Sequence, residues 1–289
     1  MIHALVIAAR ERLIRAGIPP DQAGIDAEVL IRHVLGWDRG KYLASRHEPL
    51  PSAATLPFEA ALARRERRVP VAYITGHREF WGLDFDVSPA VLIPRPESEL
   101  IVEAALTFLG DAEARARIAD VGTGSGCLAI SLAHERAHAT LVATDVSDDA
   151  LAIARRNAER HGVTGRIHFA RTSFLTDAQG PFDLIVANPP YVPRSHEATL
   201  SPDVRDHEPS VALFGRGEDG LDDVRELLGQ SAMRLAPSGR VMMEFGYGQG
   251  DAVRAGAQRA GLDIVDVLKD LQGHERTLIA ARRSPRAAL

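Results

Sequence analysis

The sequence predicts an α/β fold: a mostly parallel, helix-covered sheet preceded by a small helical domain. Three observations predict it. From residue 97 onward, short apolar runs of strand character alternate with helical segments, the pattern of βα units. Residues 1–69 carry helical periodicity and no strand-like alternation. Between them, residues 70–95 are rich in β-favouring side chains punctuated by Gly76 and Gly82, and read as a β-hairpin linker.

In the first domain, "ALVIAARERLIRAG" places apolar residues at 5, 6, 13 and 14 ahead of Gly17 and Pro19-Pro20. "DAEVLIRHVLGW" (26–37) repeats the pattern and stops at Gly36, and "SAATLPFEAALARRERR" (52–68) gives a third helix. In the linker, Val71, Tyr73, Phe80, Trp81, Phe85 and Val87 favour a strand pair. "PRPESE" then opens a helix with Pro96 near its first turn, and the catalytic domain runs from 96 to 289. Strands are expected at 117–121, 140–145, 166–170, 182–187, 239–245, 262–268 and 276–282. Helices are expected at 97–109, 125–135, 147–161, 221–235 and 248–260. The last two strands have no helix between them, so the final one is expected to run antiparallel.

Composition narrows the class. The chain has 289 residues, 45% hydrophobic and 25% charged, as in ordinary globular domains. No apolar run approaches the roughly 20 residues needed to cross a bilayer, so no membrane association is expected. The N-terminus lacks a basic leader and a small-residue cleavage site, which argues against a signal peptide. One cysteine, Cys127, permits no intrachain disulfide and fits a cytoplasmic setting. Net charge is −5, which disfavours direct nucleic-acid binding. Residues 1–69 nevertheless hold 11 Lys+Arg against 8 Asp+Glu, concentrated in "RRERR" (64–68) and read here as a solvated helix end. A monomer is expected, since no exposed apolar stripe is identifiable.

"IADVGTGSGCLAI" (118–130) is a strand, a glycine turn and a helix start. Gly122, Thr123, Gly124, Ser125 and Gly126 form the turn; glycine allows positive φ and close approach of a ligand to the backbone. Asp145 ends the next strand in "LVATDVS", 21 positions after Gly124, the distance expected of an acid that binds ribose hydroxyls. The spacing is G-x-G-x-G, where a diphosphate-binding loop reads G-x-G-x-x-G, so a nicotinamide dehydrogenase is disfavoured. An adenosine cofactor without a diphosphate, such as S-adenosylmethionine, fits better. Cys127 reads as a packing residue. "HERAH" (134–138) matches a zinc-protease motif, but His138 is expected to lie outside the helix, and no metal site is assigned.

"FDLIVANPPYVP" (182–193) carries the chemistry. A strand ends on Asn188, and Pro189 and Pro190 make the following turn stiff and extended. The Asn188 side-chain oxygen and the Pro189 carbonyl can each accept one N–H of a planar amino group. Holding both orients the nitrogen and stabilises the positive charge it gains on attacking a methyl sulfonium. Tyr191 can cover the planar group with its ring.

"DVGTGSG", "ATDVS" and "NPPY" resemble class I S-adenosylmethionine-dependent methyltransferases that act on planar amino nitrogens. "AYITGHREFWGLDFDVSPAVLIPRPESE", "DVRDHEPSVALFGRGEDGL" and "DLQGHERTLIAAR" extend the similarity over nearly the whole chain, to the peptide chain release factor glutamine methyltransferase (HemK type) family. The resemblance implies a Rossmann-like seven-stranded sheet and N5-methylation of the glutamine in the Gly-Gly-Gln motif of class I release factors, docked with help from domain 1–69 in a cleft beside the sheet edge. It implies that Gly122 to Gly126 and Asp145 bind the cofactor and that Asn188, Pro189, Pro190 and Tyr191 hold the target amide. Phe174, beside Ser173 in "FARTSFLTD", is the candidate to flank adenine. Arg95, Pro96, Glu97, Glu208 and Pro209 match family motifs without an assigned role, although Glu208 suits either the substrate entrance or a structural ion pair. Alternatives are a ribosomal-protein glutamine methyltransferase, a DNA adenine-N6 methyltransferase, and a non-catalytic translation-factor binding module.

Overall fold

A computed structural model of the protein describes residues 1–113 and 115–283; the last six residues of the 96–289 span lie outside the described residues. The chain forms two compact units, Met1–His77 with Ser201–His207, and Arg78–Leu200 with Glu208–Leu289.

The first unit is helical: α1 (Ile2–Arg15), α2 (Pro20–Leu35), α3 (Arg39–Ser45), α4 (Ser52–Glu66) and α5 (Val71–Thr75). The helix α1 buries Ile2, Val6, Ala9 and Leu13, one stripe at three- and four-residue spacing. The helix α3 has no apolar stripe to announce it and is started by Asp38, whose side chain accepts from the Lys41 N–H at 2.7 Å. The strand expected around Val71 and Tyr73 is a helical turn instead. Pro70 precedes it and Gly76, at φ 82°, ends it, so the punctuation outweighs the β preference of the residues between.

The "RRERR" stretch is not the solvated helix end that its charge suggested. Arg65 is buried between Asp26 at 2.6 Å and Asp203 at 2.8 Å. Arg68 also pairs with Asp203 and donates to the Gly17 carbonyl, while Arg64 donates to the Tyr73 carbonyl. Carboxylates distant in sequence neutralise Arg65 and Arg68, and nothing local in the sequence points to those partners.

The chain continues through the hairpin β1 (His77–Phe80) and β2 (Leu83–Asp86), the second unit beginning at Arg78. Trp81 and Gly82 both take positive φ, 54° and 70°, as a two-residue hairpin turn requires. A 3₁₀ turn at Pro96–Ser98 leads into α6 (Glu99–Leu109). Then come β3 (Arg117–Val121), α7 (Cys127–Glu135), β4 (Thr140–Asp145), α8 (Asp148–Arg160), β5 (Ile167–Arg171) and β6 (Phe182–Ala187). The short α9 (Pro202–His207) belongs to the first unit and α10 (Ser210–Leu213) to the second. The chain ends with α11 (Asp222–Arg234), β7 (Leu235–Glu244), α12 (Gly250–Arg259), β8 (Leu262–Lys269) and β9 (Glu275–Arg282).

The sheet has seven strands in the order β5-β4-β3-β6-β7-β9-β8. The first five are parallel, and β9 inserts antiparallel between β7 and β8, as the missing helix between the last two strands implied. Alternate residues of each strand feed two cores. Ile118, Leu184 and Val186 pack with Ile101 and Leu132 on one face; Ala119, Ile185 and Ala187 pack with Leu227 and Val253 on the other. Each large side chain so buried stabilises the fold by about 1.5–3 kcal/mol.

The crossover from β3 runs to β4 on one side, and that from β6 runs to β7 on the other, so a crevice opens at the C-terminal ends of β3 and β6. Val121 pairs with Thr144 on β4 and with Ala187 on β6. The next residues, Gly122, Asp145 and Asn188, therefore leave the sheet at one level.

Candidate active site

The glycine turn is built by its own backbone. Gly122, Gly124 and Gly126 all have positive φ, at 71°, 56° and 85°. They do different work. A Cβ on Gly122 or Gly124 would stand in open space, with nothing nearer than 4.0 Å. A Cβ on Gly126 would lie 2.7 Å from Ile130 Cδ1 and 3.2 Å from Ala154 Cβ. The first two glycines keep the backbone bare toward the crevice; the third lets α7 and α8 pack.

Two aspartates brace the turn from behind. One oxygen of buried Asp120 accepts from Thr123 Oγ1 at 2.6 Å and from the Ala129 N–H at 3.1 Å, and the other finds no donor among the described residues. Burial pushes its carboxyl up to about 7. Asp145 accepts from the Gly124 N–H at 2.9 Å and the Ser147 N–H at 3.0 Å. Burial raises its pKa as well, and the backbone N–H groups partly oppose the shift.

The turn and Asp145 border a cavity of about 610 Å³, while Asp120 stands behind the turn. Gly122 to Ser125, Asp145, Phe174, Asn188 and Pro190 face it; Gly126, Pro189 and Tyr191 are not among its lining residues. Phe174 holds φ 51°, a conformation costly for a bulky side chain. The turn is fixed around it: the Leu175 N–H donates to Gln230 at 2.8 Å, and Arg234 donates to the Leu175 carbonyl at 2.8 Å. Such strain persists only where the surrounding structure holds it, as these two bonds do here.

Asn188 is half-buried. Its Nδ2 donates to Ser98 Oγ at 3.0 Å, and Ser98 Oγ donates to Glu244 Oε2 at 2.5 Å. The other oxygen of Glu244 accepts from the Tyr191 hydroxyl at 2.9 Å. No donor among the described residues reaches Asn188 Oδ1 or the Pro189 carbonyl. Burial raises the Glu244 pKa, while Ser98, Tyr191 and the charge of Arg276 pull it back. The Tyr191 pKa is raised, first by burial and then by Glu244.

Sequence reasoning did not single out Ser98 or Glu244. A signal existed for Glu244: strands β3, β4, β6 and β7 each carry a carboxyl or amide at or next to the C-terminal end, in "IADV", "VATD", "IVAN" and "VMME". Glu208 is a buried anchor, accepting from the Ile93 N–H at 3.1 Å and from Arg95 at 2.5 Å, with Arg95 on the cavity wall. Cys127 also faces the cavity, and burial pushes its thiol up to about 12, so it is neutral. In "HERAH" the helix ends at Glu135, and His138 lies beyond it, paired with Glu113 at 2.8 Å.

Comparison with known proteins covers both units. Residues 4–76 match the PrmC N-terminal domain, and residues 98–201 match the methyltransferase small domain. A release factor glutamine methyltransferase of Cereibacter sphaeroides is 43% identical over 275 residues, covering 95% of this chain and 96% of the relative. One of Xylella fastidiosa is 42% identical over 277 residues, covering 96% of each. Among solved structures, a Pyrococcus furiosus methyltransferase superposes with a TM-score of 0.53 at 18% identity, over 78% of this chain and 98% of that one, a likeness of fold.

Proposed function

The chain belongs to the release factor glutamine methyltransferase family, and from that premise we propose how its residues carry out methyl transfer from S-adenosylmethionine to the glutamine amide of a release factor. The observation that carries the assignment is the common level at which Gly122, Asp145 and Asn188 leave the sheet, around one cavity.

The residues fit the cofactor. Gly122 and Gly124 leave room for it against the backbone, and Asp145, held by two N–H groups, keeps lone pairs for two ribose hydroxyls. Phe174 offers a ring for adenine. When bound, S-adenosylmethionine supplies a methyl on a positive sulfur, which leaves with the C–S electron pair as the amide nitrogen bonds to carbon and gives one proton to water.

The Asn188 carboxamide oxygen and the Pro189 carbonyl take the two N–H groups of the substrate amide, since neither has a donor among the described residues. The two prolines hold that pair of acceptors rigid. As the nitrogen gains positive charge, both hydrogen bonds strengthen, so the barrier falls more than binding tightens. A strong general base is unnecessary, because the proton leaves after transfer. The helical unit, matched to the PrmC N-terminal domain, is assigned to docking the release factor.

Incubation with methyl-labelled cofactor and release factor tests this reading. Label should enter wild-type factor and be lost when the glutamine of Gly-Gly-Gln becomes alanine; label that ignores that change, or no label at all, overturns it. Asn188→Ala should cut kcat on the order of 100-fold and leave cofactor Kd nearly unchanged.

A further inference from the structure

We propose that Ser98 and Glu244 are positioning residues that lock the Asn188 carboxamide with its oxygen toward the cavity, and so set the site's preference for an –NH2 nucleophile. The inference rests on the reading of Asn188 given above and deepens it.

The oxygen and nitrogen of a carboxamide differ too little in shape for packing to choose between them. Something must choose, because the two orientations offer opposite chemistry. With Oδ1 inward, Asn188 accepts an N–H from substrate. With Nδ2 inward, it would donate, which suits a carboxylate or carbonyl and repels an amide –NH2.

The choice is made at Glu244, at the end of β7 and only 2% exposed. Both of its oxygens accept here, one from Ser98 and one from the Tyr191 hydroxyl. Its Oε2 must therefore take the proton of Ser98 Oγ, 2.5 Å away. With that proton committed, Ser98 can present only a lone pair to Asn188. The group 3.0 Å from it must be the donor, Nδ2. Oδ1 is then left facing away from Ser98, with no donor among the described residues. Flipping the amide would set oxygen against oxygen. The direction is imposed one way along the relay, from a buried carboxyl to the substrate.

The same carboxylate takes the Tyr191 hydroxyl on its other oxygen. One buried group thus fixes both ends of the Asn-Pro-Pro-Tyr turn: Asn188 through Ser98, and Tyr191 directly. Tyr191 does not line the cavity, so in this arrangement it acts as a fastening of the turn.

The test is a double-mutant cycle assayed at about pH 8. The wild-type enzyme must first label the release factor; if it does not, the functional reading fails and this inference with it. Given wild-type activity, Ser98→Ala should lower kcat on the order of 10- to 100-fold with cofactor Kd changed less than about two-fold. Ser98→Thr, which keeps the hydroxyl, should restore most of the rate. In an Asn188→Ala background, Ser98→Ala should have no further effect, because it acts only through Asn188. A purely structural role would lower the rate again in that background, and that result overturns the proposal. So does wild-type kcat in Ser98→Ala. Should Ser98→Ala fail to fold, Glu244→Gln poses the same question with the shape kept: its amide can donate to Ser98 and release the relay, so an undiminished kcat there also overturns it.

Discussion

Phe174 shows how a single residue can be kept at a cost to the fold. Its φ of 51° is strained for an aromatic side chain, and that strain amounts to about 1–2 kcal/mol. Its ring is half-buried against the core on the β6 face, which returns a similar amount. For stability the two terms nearly cancel. For binding nothing cancels, because an aromatic face beside a base is worth about 1–3 kcal/mol. Phe174→Gly should therefore leave the cofactor-free Tm within a few degrees of wild type, since glycine relieves the strain as the ring is lost. It should raise cofactor Kd roughly 5- to 150-fold. Thermal unfolding and titration calorimetry on the same preparation check both halves. A large Tm loss with unchanged Kd would make Phe174 a core residue and remove it from the adenine site.

At the scale of elements, the turn between β3 and α7 separates packing from ligand contact one glycine at a time. Gly126→Ala adds a Cβ 2.7 Å from Ile130 at φ 85°, so backbone strain and overpacking combine to about 2–4 kcal/mol. It should lower Tm by roughly 5–15 °C. Gly124→Ala meets open space and carries only the backbone strain of φ 56°, about 1–2 kcal/mol, so it should lower Tm less than Gly126→Ala and act on cofactor Kd as well. Equal Tm losses in the two variants would contradict this division of labour. The turn itself was legible in the sequence because glycine spacing and the strand before it are local signals, and β6 was legible because Asn188-Pro189 ends it abruptly. Local signals misled at α5, where Val71 and Tyr73 favour a strand but Pro70 and Gly76 fix one helical turn. They were silent on the Ser98–Glu244 bond, whose partners lie 146 residues apart and meet only when β7 pairs with β6. They were equally silent on Arg65, whose carboxylate partners stand far from it in sequence. What a sequence shows least is which buried charge neutralises which.

Across the whole molecule, the acids of the site reverse the usual dependence of stability on pH. Asp120, Asp145 and Glu244 stand at or beside the ends of β3, β4 and β7, and burial raises the pKa of each. A group whose folded pKa is raised favours the fold in its neutral form. That contribution is fully present below the ordinary carboxylate range and is lost as pH rises through the raised value, about 7 for Asp120. Surface carboxylates held low by arginine, such as Glu66 by Arg12 and Glu275 by Arg254, have the opposite sign, and their contribution is lost only as pH falls into the acid range. The cofactor-free protein should therefore be more stable at pH 6 than at pH 8. Asp120 should supply most of the difference, because of these three acids it alone has a buried oxygen with no donor among the described residues. Asp120→Asn keeps an oxygen for Thr123 and Ala129 and removes the charge, so it should flatten the decline between pH 6 and 8 and raise Tm at pH 8. Thermal unfolding at fixed ionic strength across that range measures it. A wild-type Tm that does not fall, or an Asp120→Asn variant that falls as steeply, would show that Asp120 remains ionised in the fold at pH 6. The glycine turn would then rest on a buried charge.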